Sequence, residues 1–150
     1  MFELLVAVTA IACVPALAVY FVRSTPPRYA ENVPRDKAPF GLPAEASDVS
    51  FCQGFRGTIA YEFAIKEDAF IEWVESGIGS VESDAAKVAI QPITAPYSIP
   101  RYSSLMATLT GPDSITIANG LYYAWSKEDR GVHAAFDRST NRAYYFAHFH

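Results

Sequence analysis

The feature that most constrains the fold is a pair of short polar turns in the C-terminal third, each set between runs of alternating hydrophobicity. Leu121, Tyr123 and Trp125 alternate with Tyr122 and Ala124. After Lys127-Glu128-Asp129-Arg130 the alternation resumes at Val132, Ala134 and Phe136. After Arg138-Ser139-Thr140-Asn141 it resumes again at Ala143, Tyr145, Ala147 and Phe149. Apolar spacing of period two belongs to strands with one buried face, and polar turns between such runs mark a β-meander. If both turns are four-residue loops, Trp125 faces Val132, Tyr123 faces Ala134 and Phe136 faces Ala143. A slip of one residue would send a whole strand's apolar set to the other face. The two turns agree independently, so one face is expected to collect Leu121, Tyr123, Trp125, Val132, Phe136, Tyr145 and Phe149 as core.

Upstream, Val49, Phe51, Gln53 and Phe55 alternate with small residues, and after Arg56-Gly57 so do Ile59, Tyr61, Phe63 and Ile65. This reads as a hairpin. The period then changes. Phe70, Trp73 and Val74 fall at i, i+3 and i+4, Glu67 and Asp68 suit a helix start, and Gly77 suits its stop. A short amphipathic helix packing on the sheet is expected, with Trp73 as a core anchor. Ile78 to Ser104 carries Pro92, Pro96 and Pro100 and reads as a long loop, with room for a short strand around Lys87 to Gln91. Ile115 and Ile117 begin another strand. The fold class is α+β: a small antiparallel sheet domain of order roughly β-β-α-loop-β-β-β over residues 44–150, with one helix on the sheet.

Two segments precede it. Leu4 to Val22 holds no charged residue and as a helix would reach about 28 Å, the thickness of a hydrocarbon core. Residues 1–23 are therefore expected as a transmembrane anchor that meets the lipid bilayer through residues 4–22, making a single-pass membrane protein. Two other readings stand beside this one. Pro15 before Ala16-Leu17-Ala18 resembles a signal-peptide cleavage site, but the apolar run continues to Val22 and no basic residue precedes it. A lipoprotein signal ending at Cys13 would follow a poor lipobox. Arg23 and Arg28 favour a cytoplasmic domain by the positive-inside rule, whereas an N-terminal anchor followed by a tether suits exported proteins. Both sides stay open. Residues 24–43 contain five prolines and read as an extended proline-rich linker.

Charge limits the partners. The first 43 residues carry four basic and three acidic side chains, and the rest carries eight basic and 13 acidic. An acidic domain without a basic stripe is not built to bind nucleic acid, where phosphate neutralisation supplies most of the affinity. The two cysteines are Cys13, in the apolar run, and Cys52, so the domain cannot close a disulfide of its own. Catalytic signatures are missing: there is no phosphate-binding Gly-rich loop, Cys-x-x-Cys pair or His-Glu-x-x-His motif. The reading therefore leans away from an enzyme and names no catalytic residue.

Two surfaces are worth following. The meander register puts His133, His148 and His150, the only three histidines, on the face opposite the core. Two histidines at i and i+2 with a third across the sheet can hold zinc with one position open, which would make a metal-binding protein or a metal-dependent hydrolase. The same face carries Tyr122, Tyr144 and Phe146, and the long loop carries Tyr97 and Tyr102. An aromatic sheet face left uncovered is a binding surface for a protein or small molecule. A non-enzymatic interaction module held at the membrane is the preferred expectation.

Overall fold

The computed structural model describes residues 28–39, 41–54, 57–78, 85, 88–102 and 112–149. Nine strands and one helix are seen there: β1 (Tyr29–Val33), β2 (Ser47–Gln53), β3 (Ile59–Ala64), α1 (Glu67–Glu75), β4 (Gln91–Pro92), β5 (Tyr97–Pro100), β6 (Ser114–Ile117), β7 (Gly120–Lys127), β8 (Arg130–Asp137) and β9 (Arg142–His148). Seven strands form one sheet in the order β1-β2-β3-β9-β8-β7-β4, and β5 pairs with β6 as a separate two-stranded ribbon. Every described pairing is antiparallel. The domain is α+β and rich in sheet.

The meander has the expected register: Trp125 pairs with Val132, Tyr123 with Ala134 and Phe136 with Ala143. The first turn is tighter than four residues. Lys127 pairs with Arg130, leaving Glu128 and Asp129 as the turn, with Glu128 at φ 56°. The register is unchanged because the same two residues are merely the last rung of the ladder. The second turn is the expected four residues and is held by Asp137. That carboxylate accepts from the Ser139 backbone N–H (2.8 Å), the Ser139 hydroxyl (2.6 Å) and the Thr140 hydroxyl (3.0 Å), while Asn141 takes φ 52°.

α1 buries Phe70, Trp73 and Val74 as its spacing requires, and Gly77, at φ 88°, ends it. The Trp73 ring meets Phe63 edge-on at 5.3 Å, and its indole N–H donates to the Gly41 carbonyl at 2.8 Å. Phe70 packs on Phe136, with ring centroids 5.5 Å apart. The main core thus lies between α1 and the sheet face carrying Phe51, Phe63, Val132, Phe136 and Tyr145.

The second sheet face is also covered, which the sequence did not reveal. The β5–β6 ribbon lies across it and buries Ile99 and Ile117 against Ala135 and Tyr144. The loop expected from Ile78 to Ser104 therefore contains an ordered strand, and Ile115 and Ile117 belong to the ribbon, not to the meander. The strand anticipated near Lys87–Gln91 is the two-residue β4, paired with Leu121 and Tyr122.

The proline-rich stretch 24–43 is not a free spacer throughout. Tyr29–Val33 is an edge strand on β2, Leu42 is buried, and the Arg35 guanidinium donates to the carbonyls of Leu42 (2.7 Å) and Pro43 (3.0 Å). Five residues that shift register at Asn32 (φ 50°) show no alternation in sequence, so proline density dominated the reading. Among the described residues no helix is long and apolar enough to cross a membrane; the run Leu4–Val22 lies outside them.

Candidate site on the second sheet face

The alternation that aims Tyr123 and Trp125 at α1 aims Tyr122, His133, Tyr144, Phe146 and His148 at the opposite face. The ribbon divides these residues into two groups. Tyr144 is buried beneath it at 4 % exposure, and Tyr102 is buried at 7 % in a small cluster with Cys52 and Ala60. Neither offers its ring to solvent. Neither joins an open aromatic surface: Ile99 and Ile117 of the ribbon cover Tyr144, and Tyr102 packs on Cys52, Ala60 and Tyr29.

Tyr97, at the start of β5, stays half-buried together with Tyr122, His133, Phe146 and His148 of the main sheet, and the five form a continuous strip. Tyr97 stacks on Tyr122 with centroids 4.7 Å apart and ring planes 23° apart. The Tyr122 hydroxyl donates to Gln91 Oε1 at 2.7 Å, which fixes the outer ring. The Tyr97 oxygen lies 3.5 Å from His133 Nδ1, a long contact. The two imidazoles lie nearly parallel, 6.4 Å apart, and His148 meets Phe146 at 6.1 Å.

A residue the sequence reading overlooked makes room for this arrangement. Gly131 pairs with His148 across the ladder. A Cβ there would lie 2.7 Å from His148 Cε1 and 3.3 Å from His133 Nε2, so both rings lie over its bare backbone. The only signal in the sequence was a glycine inside an otherwise alternating run, which marks a close approach.

The electrostatics favour neutral chemistry in the strip. Burial and the neighbouring His148 hold the His133 imidazole below its ordinary pKa, and burial raises the Tyr97 hydroxyl. A nearby partly buried pair anchors the ribbon. Arg101, just beyond β5, donates to both oxygens of Glu62 on β3, at 2.9 and 2.8 Å. The Tyr102 hydroxyl donates to Glu31 at 3.0 Å, and burial together with that carboxylate pushes it up to about 12. These bonds tie the ribbon to β3 and β1.

His133 and His148 are brought together as expected, but His150 lies outside the described residues. Among the described residues no group of three or more His, Cys, Asp or Glu side chains is arranged to hold a metal ion. Cys52 is buried, and burial pushes its thiol up, away from the thiolate a nucleophile needs. On the helix side, a concavity of about 450 Å³ lies between α1 and β7, lined by Ile71, Val74, Val88, Ile90, Leu121 and Tyr123 among others. Among the described residues Glu75 is the one carboxylate on its wall, and the Tyr123 hydroxyl is already committed to the Ala85 carbonyl. It offers shape without a reactive pair.

The chain matches no family model, no curated protein and no solved structure. Its functional reading therefore rests on the strip itself.

Proposed function

We propose that this chain is a single-pass membrane protein whose α+β domain is a non-enzymatic binding module, taking a protein or small molecule on the strip of Tyr97, Tyr122, His133, Phe146 and His148. One observation carries the reading. Where α1 and the ribbon seal most of the sheet, these five rings are left half-covered and side by side. Stacked rings beside two imidazoles give flat apolar area and hydrogen-bonding edges at small entropic cost, as binding surfaces require. The anchor is supported by the uncharged run Leu4–Val22.

A photo-crosslinking residue placed at Tyr122 in the full chain tests the strip. A discrete adduct is expected there, absent when the same residue replaces Glu75, and lost on Tyr97→Ala. Identical adducts at both positions would end the binding reading. Labelling Glu75→Cys with an impermeant maleimide in intact cells, in a Cys13→Ala, Cys52→Ala background, assigns the side of the membrane.

A second reading takes the two neighbouring imidazoles, with His150 as third ligand, for a zinc site. It requires micromolar or tighter zinc binding by the full chain, weakened by His148→Ala. A flat titration would exclude it.

A further inference from the structure

The fold leaves very little chain between the apolar run and the domain. Residues 29–39 and 41–43 belong to the folded body, so only Ser24 to Arg28 can act as a spacer. Five residues can reach at most about 17 Å, whatever their conformation. The headgroup layer alone takes up about 6 Å of that span. The start of β1 is therefore held within about 10 Å of the lipid surface, roughly one Debye length at physiological salt.

Strand direction determines which part of the domain this brings close. The Arg28 carbonyl accepts from the Gln53 N–H at 2.7 Å, so the chain enters at the end of the sheet where β2 finishes. Antiparallel pairing brings the start of β3 and the finish of β9 to that same end, because Gln53 pairs with Ile59 and Ile59 with Ala147. The proximal end of these four strands thus carries Arg28, Gln53, Gly54, Gly57, Thr58, His148 and Phe149. The β7–β8 turn lies at the same end, because Gly131 pairs with His148, and it adds Lys127, Glu128, Asp129 and Arg130. The distal end carries both signs in similar number, with Arg35, Lys37, Lys66 and Arg142 beside Asp36, Asp48, Glu67 and Asp68. The short reach of the chain, and not net charge, brings the proximal end to the headgroups.

Resting on the anchor reading of residues 4–22, we infer that the proximal end of β1, β2, β3 and β9 sits on the phospholipid headgroup surface, holding the domain in one orientation close to the bilayer. His148 belongs to both this end and the aromatic strip. Whatever the strip takes is met at the membrane surface.

The test uses the full chain in vesicles of phosphatidylcholine and phosphatidylserine carrying a headgroup-linked energy acceptor. A donor is attached at Thr58→Cys, at the proximal end, or at Lys66→Cys, at the distal end, in a Cys13→Ala, Cys52→Ala background. Thr58 and Lys66 lie about 26 Å apart along the line of β3, so transfer from Thr58 should be severalfold stronger. A long Gly/Ser insertion between Pro27 and Arg28 should remove the difference. Equal transfer from both positions without the insertion overturns the docked orientation. A chain that fails to float with the vesicles after alkaline wash overturns the anchor, and the orientation with it. Gln53→Cys and Ser139→Cys repeat the comparison if either first label unfolds the chain.

Discussion

At the residue scale, Gly120 and Asp137 show how much one position can govern in an antiparallel sheet. A side chain at Gly120 would overlap the Phe136 carbonyl, which is backbone and cannot yield. Gly120→Ala is therefore expected to cost about 2–3 kcal/mol, as overpacking does at a rigid site, and urea unfolding should show it as a lower midpoint with an unchanged slope. Asp137 works through charge. Burial raises its carboxyl, but the hydrogen bonds from Ser139 and Thr140 outweigh this and hold it below its ordinary pKa. A depressed carboxyl adds stability above its unfolded value of about 4 and loses it as pH falls through the folded value. Stability should thus decline on the acid side, and Asp137→Asn should be less stable than the parent at pH 7 and flatter below pH 4. An Asp137→Asn curve parallel to the parent's would refute that role. Gly131 belongs at this scale too. It was visible in sequence only as a glycine, because what it accommodates comes from β9 and from its own strand two residues on.

At the element scale, the β5–β6 ribbon decides which aromatic side chains are core and which are surface. Two buried isoleucines and one partly buried ion pair hold it down, and the ion pair is the more exposed to failure. Arg101→Met leaves the Glu62 carboxylate buried beside Tyr144 without its guanidinium, which is expected to cost about 3 kcal/mol. Adding Glu62→Leu should restore most of that loss, since an apolar pair of similar volume avoids the stranded charge. The effect should appear first as faster amide exchange at Ser98 and Ile115, ahead of β8, because local opening requires less than global unfolding. The ribbon was not legible in sequence. Pro96 and Pro100 bracket β5, and each ribbon strand contributes one fully buried side chain, too few to establish a period. α1 was legible because its three anchors recur within a single turn and its stop signal is local.

For the whole molecule, the decisive element is β9, which lies between β3 and β8 and joins the N-terminal hairpin to the meander. Tyr61 stacks on Tyr145 across that seam at 5.4 Å, so neither half owns a complete core. Unfolding of the body is expected as one cooperative transition, with calorimetric and van't Hoff enthalpies equal, and removal of residues 142–150 should abolish it. Two separated transitions would show that the halves fold independently. The sequence alone determined what neighbouring residues decide: the meander register, the N-terminal hairpin, the helix with its buried stripe, and the placing of His133 and His148 on one face. Each follows from a period or a turn, which are set by sterics over a few residues. Only the tertiary structure decided which strands pair at a distance, that Tyr29–Val33 joins the sheet, and that Tyr102 and Tyr144 are covered while Tyr97, Tyr122 and Phe146 stay half-open. An alternating strand announces which side it buries but not which partner buries it. Partner choice depends on the packing of the assembled layers, where every candidate strand carries the same period.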